Sequence, residues 1–425
     1  MSLKLTIFVP SISILNKKKI INDPVYGFIS IPSELIFDLI QHPYVQRMRY
    51  IKQLGMTHLV YPGALHTRFH HAIGAMHLMG MAIETIRSKG NKISEEEEEA
   101  VTIAILLHDI GHGPFSHALE HTIVQGISHE HISALLMDNL NKEFNGRLDM
   151  AIEIFKKKYY KKFLHQLVSG QLDIDRLDYL NRDSFFTGVI EGVIGFDRII
   201  KMLDVVDDQL VVEEKGVYSI EKFLIARRLM YWQVYLHKTV IAAEQMLVKI
   251  LERAQELTSN GIELFATPDF AHFLNHAITN NDFNADPVHL ETFSRLDDHD
   301  IFISIKVWAG HNDIILSTLC KNIISRNLYQ VEITNEPPLL EHVDKLVGQI
   351  MEKYSVNEDD ASYFLFTDTI KNNAYNSADG SINILMKDGS IQDITTASDN
   401  SNLEALAKTI KKYILCYLKD IKALL

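Results

Sequence analysis

The sequence predicts a mainly α-helical fold with a smaller C-terminal α+β lobe. Residues 32–260 repeat apolar side chains at three- and four-residue spacing, with short breaks at Gly or Pro, as amphipathic helices do. Beyond about residue 285, runs of β-branched and aromatic residues indicate strands. The composition, 47% hydrophobic and 23% charged over 425 residues, is ordinary for a globular chain. We therefore expect a helical domain over 1–260 with short N-terminal strands, and an α+β lobe over 261–425.

Charge and cysteine content exclude several classes of protein. The net charge of −13 disfavours a protein that wraps duplex nucleic acid, because phosphate neutralisation needs clustered Lys and Arg. Cys320 and Cys416 lack CxxC spacing, so neither a disulfide framework nor a thiolate zinc site is expected, and a cytoplasmic compartment is favoured. No stretch approaches the roughly 20 apolar residues that span a bilayer, so no membrane partner is expected. The N-terminal LKLTIFVPSISIL predicts an edge strand rather than a signal peptide.

In the helical half, TRFHHAIGAMHLMGMAIETIRS predicts a helix that starts near Arg68. Its apolar stripe faces one way, and His70 and His77 point away from that stripe toward solvent. His71 lies with Arg68 at the edge of the stripe, where a cleft can form. Taken alone, His71 is better explained as an ordinary hydrogen-bonded histidine than as a functional one.

Three further patterns predict elements before residue 260. Ser94 followed by Glu95–Glu99 indicates a capped helix start, with acids favoured by the helix dipole. The stretch QLVVEEKGVYS indicates a hairpin around Lys215-Gly216. From about Ile220 to Leu257 there is no Gly or Pro, which predicts one long helix or two joined by a slight kink.

The C-terminal lobe is predicted from its own runs. DIFISIKVWAG, LYQVEIT and YFLFTD are typical of strands, and SINILMKDGSIQDIT indicates a hairpin that turns at Asp388-Gly389. A final amphipathic helix, NLEALAKTIKKYILCYL, closes the chain. The apolar faces of the long helix and of this lobe also predict a homo-oligomer, a dimer or a tetramer.

The stretch ILLHDIGHGPFSH at 105–117 ends an apolar run with His108 and Asp109, and Gly111 and Gly113 then break the helix. Burying unpaired imidazole and carboxylate groups is costly, so this cluster needs a partner. Nitrogen and oxygen atoms on adjacent residues can reach one divalent cation, and this chemistry suits Mn, Mg, Fe, Ni or Zn. An HD dipeptide alone is a weak signal.

A third piece is GQLDIDRLDYLNRDSFFTG, predicted as a helix from about residue 174. One face is apolar, and the opposite half carries Asp175, Asp178, Tyr179, Arg182 and Asp183. Alone, this half fits a solvated face as well as a functional one. Two imidazoles and two carboxylates nevertheless make a workable ligand set for one divalent ion with open positions. These four residues are His71, His108, Asp109 and Asp175.

The order of these motifs resembles the HD-domain phosphohydrolase superfamily: RFHHAIG at 68–74, HDIGHGPFSH at 108–117, HEH at 129–131 and DIDRLDYLNRD at 173–183. Upstream, INDPVYGFISIPSELIFDLIQHPYVQRMRYIKQLG resembles the deoxynucleoside triphosphate triphosphohydrolase branch. The resemblance covers roughly residues 19–245 and is looser beyond about 285. It implies an HD-domain helical core, a divalent metal held by His71, His108, Asp109 and Asp175, and cleavage of a dNTP to deoxynucleoside and tripolyphosphate.

The resemblance also assigns roles to matching positions. Arg68 would bind the triphosphate, His112 and His117 would lie beside the α-phosphate, with His117 favoured as proton donor, and His129 and Glu120 would assist. Gln53, Leu54, Tyr179 and Asp183 would surround the sugar and leave little room for a 2′-hydroxyl. Fixed cations suited to phosphate charge include Arg176, Arg227 and Lys238. Arg227, Tyr231, Tyr235 and Lys238 form a polar and aromatic stripe that fits packing as well as nucleotide binding.

Some positions depart from the branch. Arg176 stands where Lys is common, and Leu236 follows Tyr235 where Gln is common. At the regulatory nucleotide site of activated members, Asn22, Gln46 and Arg49 match, but Gln41 replaces an acidic residue, so a nucleotide activator stays an open alternative. Two other functions stay open: hydrolysis of another phosphate ester, such as a monophosphate, cyclic nucleotide or guanosine polyphosphate, and nucleotide sensing with little turnover.

Overall fold

The computed structural model describes residues 19–115, 122, 126–276, 278–372, 375–376, 380–400 and 408–422. The predicted mainly α fold is confirmed. Before residue 261 the helices are α1 (Glu34–Gln41), α2 (Pro43–Arg47), α3 (Arg68–Ser88), α4 (Glu95–Leu107), α5 (His129–Glu143), α6 (Asp149–Phe155), α7 (Lys162–Val168), α8 (Ile174–Thr187), α9 (Phe196–Met202), α10 (Val217–Met230) and α11 (Lys238–Ser259). The later helices are α12 (Pro268–Leu274), α13 (Asn280–Ala285), α14 (Pro287–Phe293), α15 (Asp298–Trp308), α16 (Ile314–Ile324), α17 (Leu340–Tyr354), α18 (Glu358–Ala361), α19 (Ile394–Ala397) and α20 (Lys419–Lys422).

Within the described residues, the strands form three small sheets. The N-terminal hairpin pairs β1 (Ile20–Asp23) with β2 (Gly27–Ser30). A four-stranded sheet has the order β3 (Leu203–Val206), β4 (Gln209–Glu213), β7 (Asn383–Leu385) and β8 (Ile391–Asp393), with β4 and β7 parallel. A three-stranded antiparallel sheet has the order β5 (Gln330–Thr334), β9 (Ile410–Tyr417) and β6 (Leu365–Asn372).

Helix α3 lies at the centre of the helical core, packed against α4 and α8. It begins at Arg68, as predicted, but it is covered on nearly every side. His70 and His77 are therefore half-buried, and the prediction that they face solvent is wrong. The His70 ring accepts a hydrogen bond from the backbone N–H of Thr67 at 3.1 Å and so completes the start of the helix. Other elements cover most of α3 before Glu84, which an amphipathic projection of one segment cannot reveal.

Two predictions near residues 200–257 are corrected. The predicted hairpin around Lys215-Gly216 is wrong: residues 214–216 form a 3₁₀ turn into α10, and β4 pairs instead with the preceding strand β3 through a turn at Asp207-Asp208. Both aspartates have positive φ, as the twist of a two-residue hairpin requires. The long apolar stretch forms two helices. A π-helical turn at Tyr231–Tyr235 and extended backbone at His237 separate them, which is a larger break than a slight kink.

The C-terminal lobe contains both correct and wrong predictions. LYQVEIT, YFLFTD and the hairpin at Asp388-Gly389 are confirmed as β5, β6 and β7–β8. DIFISIKVWAG instead forms α15, because Asp297 and Asp300 make a capping box at its start. The predicted final helix is wrong at 410–417, which form the central strand β9 and are buried at Ile414–Tyr417. Residues 401–407 of that prediction, and the predicted N-terminal strand at 3–15, lie outside the described residues.

Across the parts of the chain that the structure describes, no helix combines the length and apolarity that a membrane crossing requires.

Candidate metal centre

Helix α4 delivers His108 and Asp109 to the centre of the molecule. Ser94 and Glu97 form a capping box at its start, as the sequence predicted, and its last turns are wholly buried. At the other end, the Ser133 hydroxyl donates to the His108 carbonyl at 2.7 Å and accepts from the Gly111 N–H at 2.9 Å. A Cβ on Gly111 would lie 2.2 Å from the His129 carbonyl oxygen. The HD turn is therefore pressed against α5, and only glycine fits at 111.

The structure brings together the four residues named as metal ligands. Asp175 Oδ1 lies 3.1 Å from His71 Nε2 and 3.5 Å from His108 Nε2. Asp109 approaches from the other side, 3.3 Å from His108 Nε2 and 3.9 Å from His71 Nε2. The ligand atoms of His71, His108 and Asp175 all lie within 4.8 Å of one another. Three separate elements, α3, the end of α4 and the first turn of α8, supply these atoms.

Two buried ring nitrogens show that this cluster fits a divalent cation. His108 Nδ1 lies 2.6 Å from the Ile105 carbonyl, which can only accept, so Nδ1 carries the proton and Nε2 keeps a lone pair. His71 Nδ1 likewise lies 2.7 Å from Asp178 Oδ2. Nε2 of both rings is buried without a hydrogen-bond partner and points into the cluster. Buried nitrogens of this kind need a partner, and a metal ion suits two imidazoles beside two carboxylates.

Electrostatics in the cluster favour positive charge. Burial alone would lower the pKa of His71, but the carboxylates of Asp175 and Asp178 beside the ring outweigh it and raise the pKa to about 10. His108 shows the same balance, with burial lowering its pKa and Asp109 and Asp175 raising it overall. The carboxylates therefore favour positive charge in this cluster, which a divalent ion would supply.

A buried ion-pair network orients His71 from behind. Arg182, on α8, donates from Nε to Asp178 Oδ2 at 2.9 Å and from NH2 to Asp178 Oδ1 at 3.0 Å. Its NH1 donates to Asp23 Oδ2 in β1 at 2.7 Å. Arg182 and Asp178 are fully buried. The contacts of Arg182 with Asp23 and Asp178 keep the Asp178 carboxylate ionised. Asp178 can therefore accept a hydrogen bond from the Nδ1–H of His71.

This network explains Gly74, one turn after His71. A Cβ at Gly74 would lie 2.0 Å from Arg182 NH2 and 2.1 Å from Asp178 Oδ1, whereas a Cβ at Gly80 on the same helix meets nothing within 4 Å. We expect Gly74→Ala to destabilise the fold by about 1–3 kcal/mol through overpacking. Gly80→Ala should stabilise it by about 0.5–1 kcal/mol through helix propensity. Urea unfolding of both variants checks this, and equal shifts of the same sign would contradict it.

A second histidine group adjoins the first. Asp109 Oδ1 lies 3.4 Å from His112 Nε2, and the rings of His112 and His129 stack with centroids 3.8 Å apart. Arg68 NH1 donates to Asp109 Oδ2 at 2.6 Å. Burial, followed by the nearby Arg68 charge, lowers the pKa of His112 to about 3. Asp109, His112 and His129 form a second set of ligand-type atoms within 4.8 Å of one another.

Beyond the metal cluster, α8 continues into a polar and aromatic wall. Asp183 Oδ1 lies 2.7 Å from His66 Nε2, and Asp183 Oδ2 accepts from the Tyr235 hydroxyl at 2.7 Å. Tyr179 packs edge-on against Tyr235 with ring centroids 6.3 Å apart. His66, which stacks on Phe186, was missed by sequence reasoning. It stands outside the HD motifs, and its place two residues before Arg68 was the one available signal.

The remaining named residues have these positions. Arg176 pairs with Asp173, and Arg227 donates to Gln171 at 3.1 Å, while Nε of both arginines is buried without a hydrogen-bond partner. Gln53 Oε1 is likewise buried and unpartnered, next to the half-buried Leu54. Lys238 begins α11, apart from Arg227 on α10, so the predicted stripe is interrupted by the π-turn. His117 and Glu120 lie outside the described residues.

Two of the residues that matched a regulatory site, Gln46 and Arg49, lie in α2 and in the 3₁₀ turn that follows it. Arg49 Nε donates to Gln46 Oε1 at 2.8 Å, and its guanidinium stands 3.5 Å above the Phe69 ring. Asn22 lies in β1, and Gln41 is exposed at the end of α1.

Comparison with known proteins agrees with this geometry. The family model described as "HD domain" matches residues 68–183, and the one described as "HD associated region" matches 194–281. A phosphohydrolase of Bacteroides thetaiotaomicron has a solved structure that is 57% identical, with a TM-score of 0.91, over 94% of this chain and all of that one.

Curated relatives extend the comparison. The uncharacterized protein YwfO of Bacillus subtilis is 36% identical over 74% of this chain and 72% of its own length. The deoxynucleoside triphosphate triphosphohydrolase SAMHD1 homolog of Dictyostelium discoideum is 33% identical, over 56% of this chain and 50% of that protein. Bovine deoxynucleoside triphosphate triphosphohydrolase SAMHD1 is 27% identical over 77% and 60%. The chain thus spans half to three-fifths of the two SAMHD1 proteins. With its HD motifs gathered around one centre, the chain belongs to the HD-domain phosphohydrolase family.

Proposed function

We propose that this protein hydrolyses dNTPs to deoxynucleoside and inorganic tripolyphosphate. The observation that carries the proposal is the arrangement along α8. Asp175, Tyr179 and Asp183 follow one another at successive turns of one helix, so the metal cluster continues directly into a wall that can receive a sugar. Two relatives named as deoxynucleoside triphosphate triphosphohydrolases support the same substrate class.

In the proposal, the wall selects the sugar. Both oxygens of Asp183 are engaged, by His66 and Tyr235, so the carboxylate has one orientation. A deoxyribose packed against Tyr179 leaves little room for a 2′-hydroxyl, which disfavours ribonucleotides. Gln53, whose buried Oε1 has no hydrogen-bond partner, would accept a hydrogen bond from a sugar hydroxyl, and Leu54 would pack beside it.

Cationic side chains would hold the triphosphate. The buried Nε groups of Arg176 and Arg227 are donors without a partner, and Arg68 stands beside Asp109 at the metal cluster. Fixed cations of this kind favour the charge that spreads over phosphate oxygens in the transition state. Arg176 and Arg227 would donate hydrogen bonds to phosphate oxygens through these Nε groups. The Nε groups are already buried, so phosphate binding would not require removing them from water.

HD domains are metal-dependent, and His71, His108, Asp109 and Asp175 would hold the ion. When bound, a divalent ion supplies Lewis-acid chemistry that makes water more acidic and neutralises phosphate charge. In the proposed reaction, water attacks the α-phosphorus, the bond to the 5′-oxygen breaks, and that oxygen leaves as a hydroxyl after accepting a proton. From the family pattern, we assign this proton to His117, with His112, His129 and Glu120 beside it.

Product analysis tests the proposal. The purified protein is incubated with each dNTP and NTP, singly and in pairs, with Mn²⁺ or Mg²⁺, and the products are separated by ion exchange beside Asp109→Ala. We expect the wild type to release deoxynucleoside and tripolyphosphate from dNTPs, and Asp109→Ala to release neither product. Faster turnover in a pair would reveal nucleotide activation near Arg49 and Gln46. Failure to cleave any triphosphate while metal is bound would overturn the proposal and direct the search to monophosphates, cyclic nucleotides and guanosine polyphosphates.

The predicted homo-oligomer also stays a proposal. Light scattering coupled to gel filtration, with and without nucleotide, would distinguish a monomer from the expected dimer or tetramer.

A further inference from the structure

The buried carboxylate of Asp298, at the start of α15, accepts hydrogen bonds from two segments that adjoin the metal centre. Asp298, 2% exposed, accepts from the backbone N–H of Phe115 at 3.0 Å through Oδ1. Its Oδ2 accepts from the backbone N–H of Lys52 at 3.0 Å and from the Lys52 ammonium at 3.2 Å. Phe115 ends the described part of the HD loop, and Lys52 precedes Gln53. One side chain therefore ties the HD loop to the segment that carries a proposed sugar contact.

Arg47 makes a second connection between the same parts of the chain. Its buried guanidinium donates from NH2 to the carbonyls of Ile110 at 2.7 Å and His112 at 2.9 Å. Its NH1 donates to the Leu296 carbonyl at 2.9 Å, two residues before Asp298. The 296–298 turn thus meets the HD loop through Arg47 at one end and through Asp298 at the other.

The HD loop needs such support. Phe115 has φ of 50°, in the left-handed region, which strains a non-glycine residue unless its surroundings hold it there. Burial raises the pKa of Asp298, although Lys52 opposes that shift, so keeping this carboxylate ionised costs free energy. Its three accepted hydrogen bonds offset that cost.

The other end of the connection is equally well placed. The segment around Lys52 forms backbone hydrogen bonds with the residues that lead into α3. The Gln53 N–H donates to the His66 carbonyl at 3.0 Å, and the Arg68 N–H donates to the Ile51 carbonyl at 3.0 Å. A shift of Lys52 would therefore move Arg68, whose guanidinium touches Asp109.

We propose that Asp298 is a positioning residue for the metal centre. It fixes the spacing between the loop that follows Asp109 and the segment that leads to Arg68, and it does so from the C-terminal lobe without contacting metal or substrate. The inference rests on the metal centre and not on the choice of dNTP as substrate. It gives the C-terminal lobe a role in the site that the HD motifs alone do not contain.

The test compares Asp298→Asn with Asp300→Asn. An amide at 298 cannot accept from both Phe115 and Lys52, so one side of the connection is lost. Asp300 lies on the same helical turn and accepts from the Asp297 N–H and the Thr267 hydroxyl, and no hydrogen bond joins it to the HD loop as far as Phe115. Asp300→Asn therefore controls for loss of an acid on this turn and for weaker capping of α15.

The main readout is Mn²⁺ affinity, measured by isothermal titration calorimetry, and it needs no substrate. We expect Asp298→Asn to weaken Mn²⁺ binding about 10-fold, as loss of outer supporting residues does. Asp300→Asn should stay within about twofold of wild type. With whichever substrate the enzyme cleaves, kcat should fall in Asp298→Asn with little change in KM.

Equal Mn²⁺ affinity in Asp298→Asn, Asp300→Asn and wild type would overturn the inference. Should Asp298→Asn not fold, Asp298→Glu keeps the charge but displaces the carboxylate from its two backbone donors by one methylene; weaker Mn²⁺ binding again supports the inference, and unchanged binding refutes it. Because the titration contains no nucleotide, a failure of the dNTP proposal would leave this result intact.

Discussion

Asp175→Asn is expected to reduce hydrolysis by about 1000-fold, equivalent to about 4 kcal/mol of transition-state stabilisation. The reason is geometric: Asp175 Oδ1 lies 3.1 Å from one orphaned imidazole nitrogen and 3.5 Å from the other, so it completes the centre. An amide keeps the shape of the side chain but removes the negative charge that a divalent ion needs.

Thermal unfolding with and without Mn²⁺ separates lost metal binding from lost fold. A ligand at 100 times its Kd stabilises the native state by about 2.7 kcal/mol, so wild type should show a clear Mn²⁺-dependent rise in Tm. Asp175→Asn should show none. Asp197→Asn, the same change at an exposed carboxylate on α9, should behave as wild type. Retention of both the Tm rise and the activity in Asp175→Asn would remove this residue from the metal site.

Arg182→Met should produce a large loss of stability, about 3–5 kcal/mol, because it leaves two buried carboxylates without the cation that pairs with both of them. Asp178 is fully buried, and Asp23 is 6% exposed. Asp178 would also cease to be held ionised, so the His71 ring would lose the acceptor for its Nδ1 proton. Urea unfolding measures the stability change, and a Mn²⁺ titration of the folded fraction measures the effect on the centre.

Arg295→Met is the matched control, because Arg295 also pairs with two acids, Asp269 and Glu291. That network is solvent-exposed, with 47% of the Arg295 side chain accessible, so screening and side-chain entropy limit its value. We expect a loss below about 1 kcal/mol. A comparable loss in the two variants would show that burial does not set the strength of the Arg182 network.

Much of the centre is predictable from sequence because its residues lie in compact motifs. The HD dipeptide ends a helix and is followed by glycines, so its exit from the core is visible locally. The period of DIDRLDYLNRD places Asp175, Tyr179 and Asp183 on one side of a helix. Asp178 and Arg182 were placed on that face too, but their joint role behind His71 depends on Asp23, which is 159 residues from Arg182. Such a distant pairing leaves no periodic trace.

The wrong secondary-structure predictions in the C-terminal lobe fall in segments whose residues suit both a helix and a strand. IFISIKVW has β-branched and aromatic residues that suit a strand, yet it forms a helix with a capping box of Asp297 and Asp300 at its start and Ile301, Ile305 and Trp308 buried along one face. KKYILCY looks like the end of an amphipathic helix, yet it forms β9 because β5 and β6 offer hydrogen-bonding edges on both sides. The projection of a single helix predicted that His70 faces solvent. The prediction was wrong because other elements of the fold cover that side of α3.

The sequence by itself determined the helical class, the boundaries of α3 and α8, and the set of imidazoles and carboxylates suited to a divalent ion, since each depends on spacing within one segment. Only the tertiary structure decided that His66 and Tyr235 hydrogen-bond to Asp183. The same holds for the pairing of Arg182 with both Asp23 and Asp178, and for the hydrogen bond between Asp298 and the HD loop. The physical reason is that a buried polar group must find a partner wherever the fold provides one, at any distance along the chain.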